Sequence, residues 1–233
     1  MDLTQIDLII FDKDGTLIDF HAMWSGWMEQ LAARLEAGTG LELTPGFYAA
    51  MGYDAEARRA IPDGWLAATP MARLWDLTAA YLQGRGLARR EAVAAVAAAW
   101  FAPDPVATAR PVTDLPALFG RLKAQGLKLA VATTDDRAPT LATLAALGVA
   151  GWLDQVLCAD DGVAVKPAPD MVLDICAALG VRPDRTVVVG DSLNDMAMAR
   201  AAGARAIGML TGVTGRNALA LASDAVLDSV ASL

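Results

Sequence analysis

Residues 7–19 read DLIIFDKDGTLID. The apolar run ends abruptly on two aspartates, Asp12 and Asp14, with a single residue between them. A run of Leu and Ile without polar alternation reads as a strand covered on both faces, the kind found in parallel sheets. Along a strand, residues i and i+2 share a face, so the two carboxylates would sit roughly 6–7 Å apart at about 3.3 Å of rise per residue. Like charges on one face beside a hydrophobic core repel each other. Something must compensate for them, and a cation is the first candidate.

Working outward, the same strand reading applies to LKLAVAT (127–133), TVVVG (186–190) and ARAIGM (204–209), with QVLC (155–158) and DAVLD (224–228) as two further short strands. Helical stretches lie between them at 114–125, 137–147, 168–179 and 193–202. They stop at Gly126, Gly148, Gly180 and Gly203, the usual C-terminal signal. Strands alternating with helices predict an α/β fold, a doubly wound parallel sheet with helices on both faces.

Residues 20 to about 110 break that rhythm. They show no strand pattern, and Ala, Met, Trp and Leu recur at helical spacing in MWSGWMEQLAARLE, MARLWDLTAAYL and REAVAAVAAAWF. Turn signals separate these pieces: GTG (38–40), TPG (44–46), IPDG (61–64), QGRG (83–86) and PDP (103–105). The expected organisation is a core domain of residues 1–20 and 110–233, with an all-helical domain inserted at 21–109.

Bulk composition narrows the function classes. Among 233 residues, 55% are apolar, ample for a buried core and against disorder. The net charge of −8, from 27 acidic and 19 basic residues, disfavours nucleic acid as a partner, which demands dense Lys and Arg contacts to phosphates. No segment approaches the roughly 20 apolar residues of a membrane span, and the start, MDLTQIDL, lacks a basic and apolar leader. Neither nucleic acid nor membrane is expected as a partner. Cys158 and Cys176 have no Cys-x-x-Cys spacing and read as plain buried thiols, so a reducing, cytoplasmic setting is expected.

In a doubly wound sheet, ligands bind beyond the carboxyl ends of the strands, where strand order reverses. The first strand is followed by Asp12, Asp14, Gly15 and Thr16. The second is followed by Thr133, Thr134, Asp135 and Asp136, and the TVVVG strand by Asp191, Ser192, Asn194 and Asp195; Lys166 precedes Pro167 in between. Taken alone, Asp191 reads as a helix N-cap. Taken together, Asp12, Asp14, Asp191 and Asp195 would crowd one small volume, which a hard cation bound by oxygen, Mg²⁺ above all, makes tenable. Such a rim supports phosphoryl transfer. A carboxylate attacks phosphorus, a metal offsets the charge, and Lys166, a Thr hydroxyl and the backbone N–H groups of the Gly15 turn hold the phosphate oxygens.

FDKDGTLID, the strand end at Thr133, KPAPD (166–170) and VVVGDSLNDMAMARAAG (187–203) together resemble, in order and spacing, the four motifs of the haloacid dehalogenase (HAD) superfamily. The inserted segment resembles the helical cap of its phosphoglycolate phosphatase-like branch. The resemblance implies a Rossmann-like core and a Mg²⁺-dependent phosphatase acting through an aspartyl-phosphate. It implies Asp12 as nucleophile and Asp14 as the acid that protonates the leaving oxygen and then activates water. Thr133 and Lys166 would bind the phosphoryl group, with Thr134 beside them. The metal set would be Asp12, the main-chain carbonyl of Asp14, Asp191 and Asp195. Halide-cleaving members lack the second aspartate, and phosphonate-cleaving relatives use a cap lysine, whereas residues 20–110 contain no lysine. Phe20 stands where many phosphoglycolate-type members carry Ser, which leaves the substrate open.

A helical lid favours small phosphorylated metabolites over phosphoproteins. Its candidate substrate readers are His21, Arg58, Arg59, Arg73, Trp24 and Trp27, although the two tryptophans with Met28 also fit one helical face as cap core. Three rival readings remain at this level: a phosphomutase of the β-phosphoglucomutase type, a phospho-accepting signalling module, and an inactive relative that serves as a scaffold. The sequence leaves the oligomeric state open.

Overall fold

A computed structural model describes residues 5–61, 64–69, 71–101, 104 and 106–233. The chain divides into two compact units, Met1–Phe20 with Pro105–Leu233, and His21–Asp104. The elements run in the order β1 (Leu8–Phe11), α1 (Phe20–Thr39), α2 (Gly46–Met51), β2 (Tyr53–Asp54), β3 (Arg59–Ala60), α3 (Trp65–Ala68), α4 (Met71–Gly84) and α5 (Arg89–Ala99). They continue as α6 (Leu115–Ala124), β4 (Lys128–Ala132), α7 (Arg137–Ala146), β5 (Gln155–Leu157), α8 (Asp170–Leu179), β6 (Thr186–Gly190), α9 (Leu193–Ala202), β7 (Arg205–Met209), α10 (Arg216–Ala222) and β8 (Ala225–Leu227).

In the first unit, six parallel strands lie in the order β5-β4-β1-β6-β7-β8. The chain fills one side of β1 with β4 and β5, then crosses to fill the other with β6, β7 and β8. The switch point where ligands collect in such sheets therefore lies at the carboxyl ends of β4, β1 and β6. Strand parity sorts the core into two layers. Ile9 and Phe11 join Val131, Val189, Phe119 and Leu144 on the face covered by α6 and α7, with Phe11 stacked on Phe119 at 5.2 Å. Leu8 and Ile10 join Val188, Met171, Ile175 and Met196 on the face covered by α8 and α9. The β1 ladder runs one residue past the strand, because the Asp12 N–H donates to Val189 O at 2.8 Å.

Among its described residues, the regular structure of the second unit is helical apart from one hairpin. Trp27, Met28, Leu31, Leu35, Phe47 and Met51 are buried in it, and the Trp27 indole donates to Phe101 O at 2.9 Å. The hairpin pairs Tyr53 with Ala60 and Asp54 with Arg59. Asp54 Oδ1 holds its turn by accepting from the Glu56 and Ala57 N–H groups at 3.0 and 2.9 Å, a side-chain mimic of a backbone turn. Strands of two residues are too short to show a period, so the sequence reading of residues 21–109 as wholly helical did not register them. No helix among the described residues is long and apolar enough to cross a membrane. Cys158 and Cys176 are buried and unlinked.

Candidate active site

Four strand ends build the site. β1 delivers Asp12 through Gly15, β4 delivers Thr133 through Asp136, β6 leads through Asp191 into α9, and β7 leads into residues 210–213. One carboxylate oxygen each from Asp12, Asp191 and Asp195 falls within 4.8 Å of the others, and all three residues are buried. Lys166 Nζ, also buried, lies 2.5 Å from Asp12 Oδ1 and 2.6 Å from Asp195 Oδ1. Its contact with Asp195 is an ion pair and not an aligned hydrogen bond, since Asp195 Oδ1 accepts none among the described residues.

The start of α9 explains how Asp195 is aimed. Ser192 is the N-cap; its Oγ accepts from the Asp195 N–H at 3.2 Å, while Asp195 Oδ2 accepts from Ser192 N and Oγ at 3.1 and 2.6 Å. This reciprocal capping box fixes one oxygen of Asp195 on the backbone and turns the other to Lys166. Asp191, which alone reads as an N-cap, does not cap α9. Its Oδ2 instead accepts from the Val213 N–H at 3.0 Å.

The electrostatics of the triad are unbalanced. Burial pushes the Asp12 carboxyl up to about 7, against the pull of Lys166 and with added repulsion from Asp195 and Asp14. Burial also drives Asp191 well above the carboxylate range, helped by Asp12 and Asp195. Burial works against the Lys166 ammonium, but Asp12 and Asp195 outweigh it and hold Lys166 above the ordinary lysine value. Three buried carboxylates thus share one ammonium, and their all-oxygen donor set fits a hard divalent cation. Asp12, Asp191 and Asp195 are the residues that could hold one.

Asp14 is arranged differently from the sequence expectation. Its carboxylate lies outside that triad and accepts from Lys13 Nζ at 2.6 Å on both oxygens. Lys13 is itself buried and reaches Asp135 Oδ2 at 2.9 Å. Burial opposes its charge, but Asp14 and Asp135 outweigh burial and raise the Lys13 value. Burial, more than Lys13 relieves, raises that of Asp14. The repulsion that DKD implies is therefore met by two lysines, Lys166 for Asp12 and Lys13 for Asp14. The latter is the middle residue of the motif and was not read as a partner.

The other expected residues separate clearly. Thr133 is buried at the end of β4, where its Oγ1 accepts from the Asp135 N–H at 3.2 Å. Thr134 is exposed. Gly15 has φ +81°, and a Cβ there would meet Asp191 Oδ2 at 2.5 Å. Its N–H, offered to phosphate in the sequence reading, donates to Ile18 O at 2.8 Å. In the second unit, His21 is buried with Nδ1 accepting from the Ala60 N–H at 3.2 Å, and Arg59 stands 3.2 Å from Nε2. Arg58 is exposed, adopts φ +50°, and pairs with Glu29 at 3.0 Å. Arg73 pairs with Asp76 at 3.9 Å on the surface.

A family model of the haloacid dehalogenase-like hydrolases matches residues 6–203. The chain belongs to this family. A phosphoglycolate phosphatase from Rhodospirillum rubrum is 37% identical over 135 residues, covering 58% of this chain and 56% of that protein. The chain thus spans a little over half the length of that curated relative. A HAD family hydrolase from Deinococcus radiodurans, solved with bound phosphate and sodium, superposes with TM-score 0.70 at 23% identity over 98% of this chain and 93% of its own. A Thermotoga maritima structure named as a candidate beta-phosphoglucomutase gives TM-score 0.67 at 18% identity over 95% and 94%. Both likenesses concern the fold.

Proposed function

We propose that the chain is a Mg²⁺-dependent phosphatase that hydrolyses a small phosphomonoester through an aspartyl-phosphate on Asp12. The observation that carries this reading is the placement of Asp12: a buried carboxylate at the switch point, 2.5 Å from Lys166 Nζ and grouped with Asp191 and Asp195. Asp12 attacks phosphorus, the P–O bond to the leaving group breaks, and Asp14 gives that oxygen a proton. Asp14, now a base, takes a proton from water as the water attacks the acyl phosphate, which frees Asp12 and phosphate. Lys166 and the Thr133 hydroxyl hold the transferring group's oxygens. Bound at Asp12, Asp191 and Asp195, Mg²⁺ supplies the positive charge that lets an anion approach an anion. Lys13 keeps the Asp14 carboxyl beside the site, while Lys166 pulls Asp12 toward its ionised form against the burial that raises it.

Phosphoglycolate is the first substrate to test, because curated relatives carry its name. The test is phosphate release from a panel of phosphorylated metabolites with and without EDTA, on wild type and Asp12→Asn. Release that vanishes with EDTA and in the variant is expected; undiminished turnover by Asp12→Asn overturns the nucleophile. A phosphomutase shares the first half-reaction, and isomer formation from a hexose 1-phosphate in place of phosphate release would assign that outcome instead.

A further inference from the structure

The segment after β7, Thr211-Gly212-Val213, belongs to none of the four motifs, yet it touches Asp191 at two points and the β1 turn at a third. Val213 N–H donates to Asp191 Oδ2 at 3.0 Å. Thr211 Oγ1 donates to Gly15 O at 2.6 Å, which ties this segment to the β1 turn. Gly212 lies against Asp191 so closely that an added Cβ would stand 1.7 Å from Oδ2 and 2.2 Å from Cγ. Gly15 closes on the same oxygen, with its own Cβ position at 2.5 Å. The Asp191 carboxylate is therefore in close contact with two glycines and accepts from the Val213 N–H. A carboxylate offers about four acceptor sites; the Val213 N–H uses one and fixes the group's orientation for the rest.

We propose that Thr211-Gly212-Val213 is a positioning clamp that holds Asp191 in the orientation a divalent cation requires. Gly212 is the most direct probe of it, and Thr211, whose replacement leaves the packing against Asp191 in place, is the second. Gly15 is constrained twice, by its positive φ and by space, whereas Gly212 has no positive φ and is required by space alone. Alanine at 212 suits the backbone dihedrals, but its methyl would stand 1.7 Å from Asp191 Oδ2 and 2.5 Å from Asp191 Cβ, so the carboxylate must turn away and one of the two segments must shift with it. Thr211 acts one step further out, by holding Gly15 against Asp191.

The inference rests on the reading of Asp191 as a metal ligand, and the experiment separates the two. Mg²⁺ binding is measured by isothermal titration on the full chain for wild type, Asp191→Asn, Gly212→Ala, Thr211→Val and Thr211→Ser, with melting curves in EDTA as a fold control. Removing groups that orient metal ligands weakens affinity about 10–100-fold. Gly212→Ala is expected in that range or beyond it, with a cooperative melting transition in EDTA that lies below that of wild type. Thr211→Val is expected to weaken Mg²⁺ by less, and Thr211→Ser, which keeps the hydroxyl, to restore it. Loss of binding in Asp191→Asn with wild-type affinity in Gly212→Ala and Thr211→Val overturns the clamp alone. Wild-type affinity in Asp191→Asn overturns the ligand assignment and the clamp with it. Should Gly212→Ala fail to fold, the contrast between Thr211→Val and Thr211→Ser decides.

Discussion

Replacing Lys166 with methionine removes the ammonium that contacts both Asp12 and Asp195. Methionine roughly fills the space of the aliphatic stem, so the main change is electrical. Removing one partner of a buried ion pair leaves uncompensated charge and costs about 3–5 kcal/mol. In a chain of this length each kcal/mol moves the melting temperature by about 2–4 °C. In EDTA at pH 8 the variant should therefore melt about 6–20 °C below wild type. The deficit has a defined pH dependence. With Lys166 present, Asp12 already sits at about 7, not at its ordinary 3.8; without it the carboxyl moves higher still. A carboxyl raised in the folded state contributes stability below its unfolded value and loses it as pH rises through its folded value. At pH 5 Asp12 is protonated in the variant, the unpaired charge is gone, and the deficit shrinks. Calorimetric melts at pH 5 and pH 8 in EDTA measure both quantities. An unchanged melting temperature at pH 8, or a deficit larger at pH 5 than at pH 8, refutes the reasoning.

The remaining predictions concern the wild-type cluster and the acid. Without divalent metal, raising the pH from about 4 through about 7 should remove on the order of 4 kcal/mol of the stability that Asp12 contributes, the gap between 3.8 and about 7 at about 1.4 kcal/mol per pH unit; saturating Mg²⁺ should flatten that slope, and urea titrations of wild type against Asp12→Asn across the range isolate it. In a single turnover, Asp14→Asn should slow phosphorylation of Asp12 about 10²–10⁴-fold with alkyl phosphates, which need a proton on the leaving oxygen, and much less with an aryl phosphate whose phenoxide leaves unaided. Equal slowing of Asp12 phosphorylation by both esters would show that Asp14 is not the acid.

Much of the fold was legible because its strands are buried on both faces and its helices stop at glycines. TVVVG and the 193–202 helix match β6 and α9 residue for residue, and the other core elements read from the sequence differ by a residue or two at their ends, whereas α10 (Arg216–Ala222) was not read as a helix. Uninterrupted Val and Ile runs leave little room for another reading when both faces must be covered. The carboxylates at the strand ends were legible for the converse reason: charge beside a core demands an explanation. What escaped was set by close packing and by partners chosen in three dimensions. Lys13 stands in plain view between the two aspartates, but its pairing with Asp14 and Asp135 depends on where β4 ends. The Thr211–Val213 clamp carries no charge, and its only sequence signal was a glycine shortly after the ARAIGM strand. The Gly15 N–H looked available because nothing local announces the Ile18 carbonyl that takes it.

The central claim is that Asp12 attacks phosphorus. Rapid acid quench of a single turnover with a ³²P-labelled phosphomonoester and Mg²⁺, followed by peptide mapping, tests it directly. Transient label on the peptide containing Asp12, absent in Asp12→Asn and discharged by hydroxylamine, is the predicted result. Turnover that proceeds with no label on that peptide at any time would contradict it.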